Sequence, residues 1–182
     1  MRVLRSLEEA NAVTAVRLTD KRRSAKVGDF FRLSPQIGIF LWGRLIKRAH
    51  FWGVKKDFNL IYIYDAISEM KPDRSLLVPS NLLIGPSVVN NLGWARGYWE
   101  IMESKPLEAG DMLSKHQFVR FRGAGGRDNY DVVDENGDVV TKSEAQAFPI
   151  AQSGFGNYNS VDWAIRGVLE SRGVLKSECL EK

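Results

Sequence analysis

The sequence predicts an α+β domain that is mainly antiparallel β and carries one C-terminal amphipathic helix. Short runs rich in β-branched and aromatic residues follow one another from Gly28 onward, separated by glycine and proline. One stretch near the end instead repeats its apolar residues at helical spacing. The early runs are also compatible with an SH3-like, partly open barrel at the start of the domain.

Turn residues bound each predicted strand. Ser34-Pro35 is expected to end the first strand, and Gly43 inside the second predicts a bulge or the close approach of another backbone. Asn136-Gly137 predicts a hairpin turn, because both residues tolerate the positive φ angles of a tight turn. The predicted strands cover residues 29–33, 39–46, 60–64, 98–101, 117–121 and 130–133, the last paired with 139–140.

The predicted C-terminal helix runs from about Val161 to Arg172, with Ser160 as its N-cap and Gly173 just past its last turn. Its apolar stripe should cover one face of a sheet, and Trp163 is expected to extend that contact. The apolar residues at helical spacing are Val161, Ala164, Ile165, Val168 and Leu169.

Near the N-terminus, the Ser-x-x-Glu pattern of residues 6–9 predicts a short helix from Leu7, whereas residues 12–19 suit a helix or a strand equally. The length of 182 residues fits one domain. We expect a basic arm at residues 1–26, a single domain at 27–175 and a tail at 176–182. The glycine-rich residues 122–127 are expected to form a short, mobile loop.

Composition excludes several classes of protein. Hydrophobic residues make up 44% and charged residues 26% of the chain, which is typical of a globular protein. The longest apolar run, residues 37–43, is far shorter than the roughly 20 residues that cross a bilayer. Glu8 and Glu9 interrupt the N-terminal region, so it does not read as a secretory signal. We therefore expect a cytoplasmic protein without a membrane partner.

The formal net charge of +4 resides in the N-terminal arm. Residues 1–28 contain seven Lys or Arg and three Asp or Glu, while the rest of the chain is balanced. The cluster at residues 21–26 could contact phosphates, although most clusters of this kind are solvated linkers. Binding of nucleic acid is therefore an alternative function rather than the first expectation.

No motif indicates catalysis, a cofactor or a metal. His50 and His116 stand in no motif that pairs them with a nucleophile, and Cys179 is the only cysteine. The glycine-rich loop at residues 123–126 lacks the phosphate-binding pattern, and residues 134–138 lack the closing glutamate of a calcium loop. We therefore predict a protein that is not an enzyme and that holds no cofactor or metal.

The sequence offers aromatic rings and arginines in short β and turn segments instead. Trp, Tyr and Arg dominate binding hot spots, because they bury much surface and keep a polar group. A tryptophan of a β domain is nevertheless a core residue more often than an interface residue. The residues that we predict to bind a partner are Arg44, Trp52, Trp94 and Arg96.

Taken in order along the chain, several of these segments resemble the immunity protein 26 family, which is found beside bacterial polymorphic toxins. The segments are residues 27–31, 38–44, 60–65, 82–86, 93–99 and 130–137. The resemblance implies a cytosolic protein that binds and neutralises a cognate toxin domain, and the family supplies no catalytic residues. The arm before Lys26 lies outside the pattern. The sequence does not indicate the oligomeric state.

Two other functions stay open at this point. A small barrel could present aromatic rings to nucleic-acid bases while the basic arm follows the backbone. A small hydrolase could instead use His116, in which case His116→Ala would abolish turnover and leave the fold intact.

Overall fold

The computed structural model describes residues 15–21, 23–121, 130–141, 150–151 and 155–175. The predicted helix from Leu7 and the glycine-rich loop at residues 122–127 lie outside the described residues. The strands are β1 (Asp29–Gln36), β2 (Ile39–Ala49), β3 (Phe58–Ile67), β4 (Leu82–Val89), β5 (Trp99–Ser104), β6 (Gln117–Phe121), β7 (Tyr130–Val133) and β8 (Ile150–Ala151). The helices are α1 (Leu92–Ala95), α2 (Tyr158–Ser171) and two 3-10 turns, Arg74–Leu76 and Pro79–Asn81.

Five antiparallel strands form the main sheet, in the order β4-β3-β2-β1-β5. A second sheet has the order β7-β6-β8, in which β8 runs parallel to β6. The prediction of a mainly antiparallel β domain with a C-terminal helix is therefore confirmed. Because β4 and β5 are opposite edges of the main sheet, its described strands do not close into a barrel, and the partly open barrel stays a prediction.

Gly43 lies at a shift of register between β2 and β3, as the sequence predicts for a glycine inside a strand. A Cβ atom at this position would lie 2.4 Å from the Phe31 ring and 2.8 Å from the Tyr62 carbonyl oxygen. The close approach of neighbouring side chain and backbone therefore requires glycine here.

Pro35 does not end β1, which continues to Gln36. Two residues of β1, Ser34 and Pro35, lie between the paired Leu33 and Gln36, whereas one residue of β2 lies between their partners Leu41 and Ile39, so an extra residue bulges at Ser34-Pro35. Proline has no N–H group for the ladder, and a bulge removes the need for one. The prediction that β1 ends at Ser34-Pro35 was therefore wrong.

The main sheet is covered on both faces, so side chains of both parities along β2 and β3 are buried. Leu41, Leu45 and Ile63 point to one face, which we call the helix face because α2 packs there through Ile165 and its neighbours. On the opposite face, which we call the second-sheet face, the apolar core extends to Phe118 of β6 and Val133 of β7. The molecule thus has three layers around two apolar cores.

Helix α2 begins three residues earlier than predicted. Its N-cap is Asn157, whose side chain accepts hydrogen bonds from the backbone N–H groups of Asn159 and Ser160 at 2.8 and 3.3 Å. The Ser160 hydroxyl oxygen accepts a hydrogen bond from the backbone N–H of Asn157, which completes a capping box. The predicted end is confirmed, because Gly173 follows the last turn at φ +70°. Trp163 is 45% exposed, so it does not extend the core contact as predicted.

Residues 134–138 form the predicted turn, after which Val139 makes a bridge to Val133. Asp134 organises it, because its Oδ1 accepts from the N–H groups of Asn136, Gly137 and Asp138 at 2.8 to 3.0 Å. Only Gly137 of the turn has a positive φ angle, +97°. The turn is therefore an Asp-capped turn with one left-handed residue rather than a two-residue hairpin turn with two.

Candidate partner-binding surfaces

Arg44 lies on the second-sheet face and is almost fully buried, with its side chain 2% exposed. Its Nη1 lies 2.8 Å from Oδ2 of Asp111, and Nη2 donates to the carbonyl oxygens of Lys105 and Pro106 at 3.2 and 3.0 Å. The guanidinium also lies 4.3 Å from the centre of the Phe30 ring. Arg44 therefore fastens residues 105–111 to the sheet, and its guanidinium is not exposed at the surface.

Trp94, in α1 on the helix face, is also buried. Its ring meets Phe31 and Trp99 edge to face, with ring centres 5.3 and 4.7 Å apart. Trp99 in turn stacks on Phe31 at 5.2 Å. Residue 93 must be glycine, because a Cβ atom there would lie 2.3 Å from the Trp99 ring. This aromatic cluster holds α1 against β1 and β5. Trp94 therefore stabilises the fold through its contacts with Phe31 and Trp99.

Arg96 follows α1 and is exposed. Its Nη1 donates to the hydroxyl of Tyr158 at 2.8 Å, and its guanidinium lies 5.7 Å from the centre of that ring. The Tyr98 ring stacks on the Tyr158 ring, with ring centres 4.3 Å apart. Arg96 is therefore held in place by the start of α2 and remains accessible to a partner.

Trp52 lies in the turn between β2 and β3 and is half-buried against the second-sheet face. Its φ angle of +52° places it in the left-handed region. Two hydrogen bonds hold it there: its backbone N–H donates to the Glu135 carbonyl and its indole N–H to the Asp134 carbonyl, both at 3.0 Å. These two hydrogen bonds join the turn at Trp52 to the turn at residues 134–138, and they offset the energetic cost of the positive φ angle of Trp52.

The Trp52 ring also contributes to an apolar surface. The centre of the Phe155 ring lies 4.9 Å from that of Trp52, and Phe155 is 39% exposed. Val54, in the same turn as Trp52, is 37% exposed. Lys55 and Lys56 follow Val54 in the chain and are exposed. We call the surface of Trp52, Val54 and Phe155 the aromatic tip.

The four predicted residues do not form one site. Arg44 and Trp52 belong to the second-sheet face, whereas Trp94 and the Tyr158 partner of Arg96 belong to the helix face. One residue of each pair is buried and the other is accessible. Whether any of the four contacts a partner stays a prediction; of the four, Trp52 and Arg96 are accessible at the surface.

His116 belongs to a chain of polar side chains beneath the second sheet. The Leu113 N–H donates to the Tyr62 hydroxyl at 2.9 Å, and this hydroxyl lies 2.6 Å from His116 Nε2. His116 Nδ1 lies 2.7 Å from the carboxylate of Glu135, which also pairs with Lys47. These side-chain contacts connect β2 and β3 to two irregular segments.

The surroundings of Tyr62 and Glu135 determine the protonation states of these two side chains. Burial raises the pKa of Tyr62 to about 12. The hydrogen bond from His116, helped by Lys47, lowers the pKa of Glu135 to about 2 despite partial burial. Tyr62 is 0% exposed and His116 is 8% exposed. Tyr62, His116 and Glu135 are occupied by hydrogen bonds within this arrangement. The arrangement therefore serves as a structural tether rather than as an exposed acid or base.

No group of three or more His, Cys, Asp or Glu side chains in the described ranges is placed to hold a metal ion. Among the same residues, no helix is long and apolar enough to cross a membrane.

The sequence model described as Immunity protein 26 matches residues 26–129, more than half of the chain. The chain belongs to the immunity protein 26 family. The match includes all four predicted residues and ends before β7 and α2. Immunity protein 26 is a non-catalytic family, which confirms the prediction that the chain is not an enzyme. Neither the curated proteins nor the solved structures include a match to this chain.

Sequence reasoning missed Asp111 and Glu135, which anchor Arg44 and His116. No local pattern could have found them, because each partner lies in an irregular segment far along the chain. The basic cluster from Lys21 onward was noticed, but only the structure shows that Lys21 and Arg23 border a cavity beside Trp94.

Proposed function

We propose that this protein binds a cognate toxin domain of a bacterial polymorphic toxin system and neutralises it without catalysis, in the cytoplasm. Membership of the immunity protein 26 family, through the match to residues 26–129, is the observation that carries the proposal. Protection against a lethal activity requires tight binding, and a Kd on the order of nanomolar corresponds to about −12 kcal/mol.

Two accessible features suit such a complex. Arg96 presents a guanidinium that Tyr158 already orients, so little side-chain entropy is lost when a partner binds it. The aromatic tip presents Trp52 on a turn held by hydrogen bonds, with the Phe155 ring packed against it. Tryptophan and arginine on rigid supports supply much binding energy in small areas. In this proposal Trp52 and Arg96 contact the toxin, while Arg44 and Trp94 hold the surrounding segments in place.

The proposal treats residues 27–175 as the toxin-binding domain and residues 1–26 as an arm. Part of the arm already packs on the domain, because the Val16 N–H donates to the Ser34 carbonyl oxygen at 2.8 Å. Residues 15–19 form neither the helix nor the strand that the sequence left open. The tail at residues 176–182 has no assigned role.

The test is co-expression with the toxin domain encoded beside this protein. We expect the two chains to co-purify and growth to be restored, whereas a toxin domain from an unrelated system should be neither bound nor blocked. Absence of both complex and rescue with the adjacent toxin would refute the proposal.

Hydrogen–deuterium exchange of the purified complex locates the contacts without any substitution. We expect slower exchange in residues 50–57, which carry Trp52 and Val54 of the aromatic tip, and in residues 92–98 around Arg96. Arg96→Ala should raise the Kd at least about tenfold if Arg96 is a hot spot. Protection confined to other segments would leave toxin binding intact and reject these two contact residues.

A further inference from the structure

A small cavity of about 100 Å³ lies between the basic arm and the start of β5. The arm is fixed beside it, because the N–H groups of Leu18 and Thr19 both donate to the Gly97 carbonyl oxygen, at 2.8 and 3.1 Å. A Cβ atom on residue 97 would lie 1.9 Å from the Thr19 carbonyl oxygen, so this seat requires glycine. The residues that line the cavity are Thr19, Lys21, Arg23, Trp94, Trp99, Glu100 and Ile101.

Trp94 lines this cavity, and its indole N–H is an unsatisfied donor. Its Nε1 is buried and has no hydrogen-bond acceptor among the described residues. Edge-to-face contacts with Phe31 and Trp99 fix the ring, so the N–H cannot turn toward another acceptor. A buried donor without a partner costs free energy that a bound acceptor would recover.

The charges around the cavity favour an anion. Lys21 and Arg23 are exposed, and neither forms an ion pair with another residue that the structure describes. Glu100 is the one acid in the lining, and Arg32 already neutralises it at 2.8 Å. The cavity therefore carries two uncompensated cations beside a free donor.

The size and position of the cavity narrow the ligand. Sites for whole small molecules have volumes of about 300–1,000 Å³, so this cavity admits the head of one side chain. Among the strands that the structure describes, β5 lies at the edge of the main sheet, so none of them pairs with its outer side.

We propose that this cavity binds the carboxylate of an acidic side chain of the toxin. Lys21 and Arg23 pair with the carboxylate, and the indole N–H of Trp94 donates to it. The inference rests on the proposed function and gives it a point of charge recognition, to which the basic arm contributes directly.

The test compares two double charge reversals in the full chain. Lys21→Glu with Arg23→Glu changes the cavity, and Lys71→Glu with Arg74→Glu makes the same change of charge at two exposed cations outside both the cavity and the aromatic tip. At about 150 mM salt we expect the first to raise the Kd for the adjacent toxin domain at least about 30-fold and the second less than about threefold. Equal effects, or no effect of the first, would overturn the inference.

The wild-type protein supplies a second readout. With nitrogen-15 labelling, the indole N–H resonance of Trp94 should move downfield when the toxin domain binds, because it gains an acceptor. An unchanged resonance in the formed complex would overturn the inference while the proposed function stands. A wild-type protein that fails to bind the toxin would overturn both.

A single-stranded RNA of about 20 nucleotides tests whether the cations serve phosphates instead. We expect no binding at about 150 mM salt. RNA binding that the reversal of Lys21 and Arg23 abolishes would assign these cations to nucleic acid and overturn the inference.

Discussion

The two faces of the main sheet are held by different forces. On the helix face, α2 packs through apolar side chains such as Val161, Ile165 and Leu169. On the second-sheet face, the apolar core is joined by the buried ion pair of Arg44 and Asp111. A helix satisfies its own backbone groups, so apolar packing is enough to dock it. Residues 105–116 form no helix or strand, and their backbone groups need partners from the sheet.

Breaking the ion pair tests this difference where the largest effect is expected. Arg44→Met removes a cation whose partner carboxylate is 8% exposed and leaves the Lys105 and Pro106 carbonyls without their donor. We expect a loss of about 3–5 kcal/mol in the free energy of unfolding, measured with urea. Arg44→Met with Asp111→Leu should recover part of the loss, because no unpaired charge remains buried. A loss below about 1 kcal/mol in the single variant would contradict the tether.

The helix face should respond to volume rather than to charge. Ile165 is 0% exposed, so Ile165→Ala should cost about 2–4 kcal/mol through the cavity that it leaves. The matched control is Trp163→Ala on the same helix, where the side chain is 45% exposed and the expected loss is below about 1 kcal/mol. Urea unfolding of both variants gives the comparison. Similar losses would mean that Trp163 makes the core contact that the sequence predicted.

The sequence predicted the strands that follow simple patterns and the helix with an apolar stripe. Gly43 was assigned correctly, because a glycine inside an apolar run has few other uses. The sequence did not predict β4, which contains Pro86. One residue of β3 lies between the paired Ile61 and Ile63, whereas two residues of β4, Gly85 and Pro86, lie between their partners Ser87 and Ile84, so Pro86 lies in a bulge. Local sequence does not show whether a proline meets a bulge or ends a strand.

The candidate site was less predictable than the fold. The sequence singled out Trp94 and Arg44 by residue type, but type alone does not separate an anchor for a partner from an anchor for the chain itself. That separation depends on Phe31, Trp99 and Asp111, which only folding brings together. The cavity beside Trp94 likewise requires the arm to cross at Gly97.

The smallest expected effect concerns pH and the polar chain of the second-sheet face. The folded protein keeps Glu135 ionised down to about pH 2, whereas in the unfolded chain this group takes up a proton near its ordinary pKa of 4.5. Between these values the unfolded state binds more protons, so the stabilisation by Glu135 is present above pH 4.5 and is lost as the pH falls toward 2. Glu135→Gln should cost roughly 1–2 kcal/mol at neutral pH. The gap between the unfolding curves of the two proteins should then narrow as the pH is lowered. Ile165→Ala provides the contrast, because its gap from wild type should not change with pH. A gap for Glu135→Gln that stays constant over this range would show that the carboxylate does not tether the turn at residues 134–138 through its charge.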